Sequence, residues 1–89
     1  MDFEWDNQKA RSNLRRHGIA FEVAARVFLD ANRIEGVDDR EDYGEERFFT
    51  IGTVDLRIVY VAYTVRGDSI RLISARKATK RERERYEAI

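Results

Sequence analysis

His17 is the only histidine in the 89-residue chain and the one side chain of a type suited to proton transfer near neutrality. It stands just before Gly18, where a helix is expected to stop, so the competing reading is a residue that satisfies the last helical carbonyls. Arginines supply a second kind of chemistry. Arg76 closes an apolar run ending at Ala75, where packing least calls for a cation and where a guanidinium can project into a cleft. Arg47 and Arg57 each begin an extended run and would converge with Arg76 if the strand registers allow. Such a set would clamp a phosphate through paired N–H donors. Against it stands ordinary strand-end solvation, or pairing with Asp38, Asp39 or Glu45. Lys9 is either a further phosphate contact or an exposed helix lysine. Trp5, the sole tryptophan, either stacks on a base, worth about 1–3 kcal/mol in single-stranded binding, or anchors the N-terminal segment in the core. Tyr60 and Tyr63 lie on opposite faces of one strand, so at most one meets a ligand. Lys77, Lys80 and Arg81 open a segment, Lys77 to Arg85, that either tracks phosphates or forms a solvated helix face of alternating charge.

Other chemistries are excluded by composition. The chain has no cysteine, which removes disulfides, thiolate metal sites and cysteine nucleophiles. One histidine cannot build a zinc site from several His ligands. The acids from Asp38 to Glu46 lack the ligand spacing of a calcium loop. They read as a solvated acidic hairpin, with a docking surface for a basic partner as the alternative. The formal net charge is zero, yet Asp30 to Glu46 carries about −6 and Arg57 to Arg85 about +6. That division predicts one negative and one positive surface, and a zero total does not argue against a nucleic-acid ligand. No apolar run approaches a membrane span, and the start lacks a signal-peptide pattern. The expectation is a soluble cytoplasmic protein without a metal or other cofactor.

The elements that must position these residues follow from local signals. Residues Asp2 to Trp5 read as a short extended piece. Asp6 is an N-cap for a helix to about His17, with Gly18 as its stop. Phe21, Ala24, Ala25 and Phe28 have the spacing of one buried helical stripe, although Ala20 offers no capping side chain. Strands are expected at Arg33 to Asp38, Arg47 to Gly52, Leu56 to Val65 and Ser69 to Ala75, with turns near Thr53–Asp55 and at Arg66-Gly67-Asp68. Ile58 to Tyr63 is apolar on both parities, so both faces of that strand need cover. Thr79 with Glu82 three residues later forms a capping box for a last helix. That helix is short and heavily charged, with only Tyr86, Ala88 and Ile89 late on for burial. It predicts an exposed sheet face and hence a protein partner. The fold class is α+β: two N-terminal helices, a mostly antiparallel meander of about four strands and a C-terminal helix, in one domain spanning residues 1–89.

A joint pattern runs along nearly the whole chain. It comprises Phe3-Glu4-Trp5-Asp6, Lys9, Asn13 and His17-Gly18; then Phe21-Glu22, Ala24 and Val27-Phe28; then Asp39-Arg40, Gly44-Glu45, Arg47 and Ile51-Gly52. It closes with Ile73 to Thr79, Glu82 and Tyr86. In this the chain resembles the BrnT family of toxin components. Two positions depart from the family habit: Arg16, where lysine is frequent before the histidine, and Ala20, where serine usually caps. The first keeps its charge, and the second touches helix stability more than chemistry.

The resemblance implies a RelE-like ribonuclease fold and an RNA-cleaving, translation-inhibiting toxin of a type II toxin–antitoxin pair. Its expected partner is a BrnA-like ribbon-helix-helix antitoxin, and operator DNA is met only through that antitoxin. RNA cleavage without a metal can use the substrate's own 2′-hydroxyl as nucleophile. It then needs a base, cations around the phosphorus and a proton donor for the leaving oxygen. On that implication Arg76, Arg57, Arg47 and His17 are the catalytic candidates, and Lys9, Trp5, Lys77, Lys80 and Arg81 the RNA contacts. The alternatives are a non-catalytic nucleic-acid-binding module using the same cations, and a protein-interaction module of the same fold.

Overall fold

The computed structural model describes residues 1–40, 42 and 44–88. Glu41, Tyr43 and Ile89, the last of them expected to help bury the terminal helix, therefore lie outside the described residues. The order is β1 (Asp2–Glu4), α1 (Asn7–His17), α2 (Phe21–Ala24) with a 3-10 turn (Ala25–Leu29), β2 (Ile34–Asp38), β3 (Arg47–Val54), β4 (Arg57–Arg66), β5 (Ser69–Lys77) and α3 (Lys80–Glu87). This is the expected α+β class, with two differences.

The first difference is the sheet. It has five strands in the order β1-β5-β4-β3-β2, and β1 runs parallel to β5. The sheet is therefore mixed, not a four-stranded antiparallel meander. Hairpins join β2 through β5 in sequence, and the extended N-terminus adds at the far edge, with Phe3 level with Ile70. An ion pair from Arg71 to Glu4 at 2.7 Å secures that addition. The second difference is α2, which forms one α-helical turn before tightening into the 3-10 turn. Its start has no side-chain cap at Ala20, and β-branched Val23 and Val27 lend little intrinsic support to so short a helix. The apolar stripe is buried all the same, through Phe21, Ala24 and Val27.

The first helix forms for the local reasons expected. The Asp6 carboxylate accepts the Gln8 and Lys9 amides at 2.7 and 3.1 Å, satisfying donors that the first turn leaves without partners. Gly18 ends it at φ 71°, its N–H donating to the Leu14 carbonyl at 2.9 Å. Only a residue without Cβ takes that conformation freely. The capping box also forms, with Thr79 Oγ1 accepting the Glu82 amide and Glu82 accepting the Thr79 amide.

Both faces of the central strand are covered. On one, Val59, Val61 and Tyr63 of β4 meet Leu72 and Ala75 of β5 beneath Ile19, Phe21, Ala24 and Val27. On the other, Ile51, Tyr60 and Ala62 are buried, with Phe49, Ile73 and Tyr86 packed against them. The second face is less open than its sequence implies. Arg76 lies 4.1 Å from the Tyr60 ring centroid, and Arg85 5.9 Å from that of Phe49. These guanidiniums, one from β5 and one from α3, shield the two rings from solvent. The Tyr86 hydroxyl fastens α3 by donating to Asp30 Oδ2 at 2.5 Å, and it also accepts from Thr53 Oγ1 at 3.0 Å. Gly52 makes room for this junction, since a Cβ there would stand 2.9 Å from Val27 Cγ2 and 3.1 Å from the Asp30 carboxylate.

Candidate nucleic-acid interface

Strand β1 stops at Glu4, opposite Arg71, so the outer edge of β5 continues without a strand neighbour. Helix α1 crosses that edge. Asn13 Nδ2 donates to the Ala75 carbonyl at 2.9 Å, and the Ala75 N–H donates to Asn13 Oδ1 at 3.0 Å. A side-chain amide thus takes the place of a β-strand. Just before this contact β5 bulges. Leu72 pairs with Tyr63 and Ser74 with Ala62, which leaves Ile73 as the extra residue. Bulges re-aim side chains and occur often beside functional sites. Between the bulge and the helix lies a cleft of about 160 Å³ lined by Lys9, Ser12, Asn13, Arg16, His17, Ile73 and Ser74.

The five helical members are spaced at i, i+3, i+4, i+7 and i+8, one face of an α-helix. The whole helix is cationic, with Lys9, Arg11, Arg15 and Arg16 and no acid between Asn7 and His17. Ser12 and Ser74 add hydroxyls that can donate to or accept from a ligand. The cleft therefore offers two cations, an imidazole and two hydroxyls within reach of one another. That set suits a phosphodiester and its proton transfers.

Arg76 stands two residues beyond Ser74 on the same side of β5, about 7 Å along the strand. Glu82 grips it through two bonds of 2.8 and 3.0 Å, while Tyr60 supports the guanidinium from below. Donating to the Glu82 carboxylate raises the Arg76 pKa. Burial works against the charge on Glu82, but hydrogen bonds from Arg76 and Thr79 outweigh it and hold that carboxyl below its ordinary value. Burial pushes the Tyr60 phenol up.

The remaining candidates are distributed as follows. Lys9 and His17 share the cleft, and Arg76 adjoins it along the strand. Arg57 does not converge with them, because its parity on β4 is opposite to that of Tyr60, the partner of Arg76. Arg47 has the same parity as Ile51, which pairs with Tyr60, but lies four residues away along β3, about 13 Å at strand spacing. There it neighbours Glu45 at 3.9 Å, one of the pairings weighed for it. Trp5 packs edge-on against Phe21 with centroids 5.8 Å apart, in the position of a core anchor. Tyr60 and Tyr63 do occupy opposite faces. Lys77, Lys80 and Arg81 are exposed beyond Arg76. Lys80 and Arg81 lie in the first turn of α3, where the helix dipole disfavours cations. Helix stability therefore does not explain them. In the acidic segment, Asp38 is buried and held by Arg40 through two bonds of 2.9 Å, whereas Asp39, Asp42, Glu45 and Glu46 are exposed.

Site reasoning from sequence overlooked Ser12, Arg16 and Ser74 as ligand contacts and gave Asn13 no role. The helical spacing from Lys9 to His17 was the available signal. Nothing local marked Ser74, which joins the cleft because β5 bulges there. Among the described residues no three His, Asp or Glu side chains gather as a metal site. Among them, too, no helix is long and apolar enough to cross a membrane.

Fold and cleft together define a small α+β protein with a cationic cleft at the open edge of its sheet. The chain belongs to the BrnT family: residues 5–82 match the family of the ribonuclease toxin, BrnT, of type II toxin-antitoxin systems. Family membership carries ribonuclease chemistry and an antitoxin partner as the family's defining properties. No curated protein matches the sequence significantly.

Proposed function

We propose that residues 1–89 form one toxin domain that cleaves RNA without a metal and so inhibits translation, with the edge cleft and Arg76 as its site. The supporting observation is the gathering of Lys9, Arg16, His17, Ser12 and Ser74 at the open end of β5, with Arg76 next along the strand. In this reading Lys9 and Arg16 hold the scissile phosphate, and Arg76 stabilises charge as it develops on the phosphoryl oxygens. The substrate's 2′-oxygen forms a bond to phosphorus as the bond to the 5′-oxygen breaks. A base takes the 2′ proton and an acid protonates the leaving oxygen. His17 performs one of these transfers. Lys77, Lys80 and Arg81 continue the path of the backbone as electrostatic contacts. Arg57 and Arg47 stand outside this site and serve, if at all, at a distance from the reacting phosphate.

The partner in this reading is a BrnA-like ribbon-helix-helix antitoxin that blocks the RNA path and alone contacts operator DNA. Incubation of the purified chain with single-stranded RNA and EDTA tests the reaction. Products ending in 2′,3′-cyclic phosphate are expected. Binding without products would instead select a non-catalytic module built from the same cations, and neither binding nor products a protein-interaction module. Growth arrest on expression of the chain, relieved by co-expression of the neighbouring open reading frame, tests the pairing.

A further inference from the structure

We infer that Asn13 is a positioning residue: its buried carboxamide sets the register of α1 on β5, and with it the spacing between the helix cations and the groups on the strand. The inference rests on the ribonuclease reading of the edge cleft. Asn13 is the one buried residue of α1, only 6% exposed. Ala10 is half-buried and Leu14 half-exposed, so apolar packing holds the helix weakly. Such packing is in any case non-directional and tolerates sliding, whereas a pair of amide hydrogen bonds does not.

Three bonds converge on this group. Besides the two to Ala75, Nδ2 donates to the Ile19 carbonyl at 2.9 Å. That bond ties down the turn that follows His17. Ala75 is fully buried, and β1 does not reach far enough to pair with it. Its outward N–H and C=O require one acceptor and one donor side by side, which a carboxamide supplies and a carboxylate does not. Lys9 lies four residues before Asn13 and His17 four after, one helical turn in each direction. A slip of α1 about this point displaces Lys9, Arg16 and His17 together relative to Ser74 and Arg76. Ala75 lies between those two strand residues, so the amide grips β5 at the place where the proposed site is assembled.

Asn13→Asp tests this, because it keeps the shape while removing the donor to Ala75 and Ile19. Kinetics are measured on a single-stranded RNA oligonucleotide, well below the unfolding midpoint, with circular dichroism to establish folding. The expected result is a fall in kcat of about 100-fold, the usual consequence of a misplacement near 1 Å, with KM changed less than about 3-fold because the helix cations remain. Ala10→Gly weakens the same helix without touching Ala75 and should leave kcat near wild type. An equal loss in Ala10→Gly would reduce Asn13 to a structural residue and overturn the inference. So would a folded Asn13→Asp enzyme with unchanged kcat. If Asn13→Asp does not fold, Asn13→Ser is measured by the same criteria. Unchanged cleavage in both Lys9→Ala and His17→Gln would overturn the reading of the cleft, and this inference with it. Impaired cleavage in those two beside normal kcat in Asn13→Asp would overturn the inference alone.

Discussion

Glu82 holds both terminal nitrogens of Arg76, at 2.8 and 3.0 Å, with the same carboxylate that accepts the Thr79 amide at the start of α3. One side chain thus completes a helix cap and orients an arginine over Tyr60. A guanidinium has five N–H donors, so this grip leaves some of them for a second anion. The arrangement fixes the plane of Arg76 before any ligand arrives, which spares part of the ordering cost of binding.

Removing the guanidinium should separate catalysis from folding. Arg76→Ala is expected to fold yet lose about 10²–10³ in cleavage rate, the usual effect of deleting one transition-state donor. Single-turnover cleavage of an RNA oligonucleotide, alongside a thermal melt, checks it. A folded variant with wild-type turnover sinks the role of Arg76.

The cationic face of α1 predicts steep salt dependence. Affinity for single-stranded RNA should fall with salt at a log–log slope of about −0.7 per phosphate neutralised. Lys9→Ala and Arg16→Ala should each make that slope shallower by roughly one contact. Fluorescence anisotropy across a salt series measures it. A slope near zero would mean that partners within the protein already occupy these cations.

Acid should loosen α3. At Asp30 burial works against ionisation, but hydrogen bonds from Tyr86, Thr53 and Asn32 outweigh it and hold the carboxyl below its ordinary 3.8. Glu82 likewise lies below its ordinary 4.5. Depressed carboxyls contribute stability that is complete above the unfolded-state values and is lost as pH falls through the folded ones. The midpoint of unfolding should therefore be nearly flat from pH 7 to about 5 and drop below about 4.5. Tyr86→Phe removes the donor to Asp30 and should make the drop shallower, besides costing about 1–2 kcal/mol at neutral pH. Thermal melts between pH 3 and 7 decide the matter, and an unaltered acid limb in Tyr86→Phe would count against this linkage.

The β3–β4 hairpin carries strain that a substitution can relieve. Asp55 and Leu56 have φ of 50° and 68°, and Leu56 is 97% exposed. A leucine pays for the left-handed conformation without gaining contacts. Leu56→Gly creates the Asp-Gly pair preferred in such turns and should stabilise the fold by up to about 1 kcal/mol. A lower midpoint in urea would refute this.

The sequence by itself determined most of the local elements and the helix ends that capping marks. Asp6, Gly18, Thr79 and Glu82 mark helix ends because capping acts within a few residues. The double-faced apolar run at Ile58–Tyr63 announced a strand covered on both sides. The sequence also carried the family pattern, which is spread along the chain and needs no contacts to be read. The β3–β4 turn was placed early, near Thr53–Asp55, because its left-handed residues are not glycines and leave no mark of their own.

Tertiary structure alone decided which of the candidate residues meet. The pairing of β1 with β5 joins Phe3 to Ile70, and the helix-to-strand contact joins Asn13 to Ala75. No local preference encodes partners so distant in sequence. The bulge at Ile73 sets which β5 side chains share a face, placing Ser74 in the cleft, while the register of β3 on β4 keeps Arg47 away. Residue type and spacing could nominate cations, because charge and helical periodicity belong to the chain. Which of them meet depends on strand register and on the partners that neutralise them, and those are fixed only when the sheet closes.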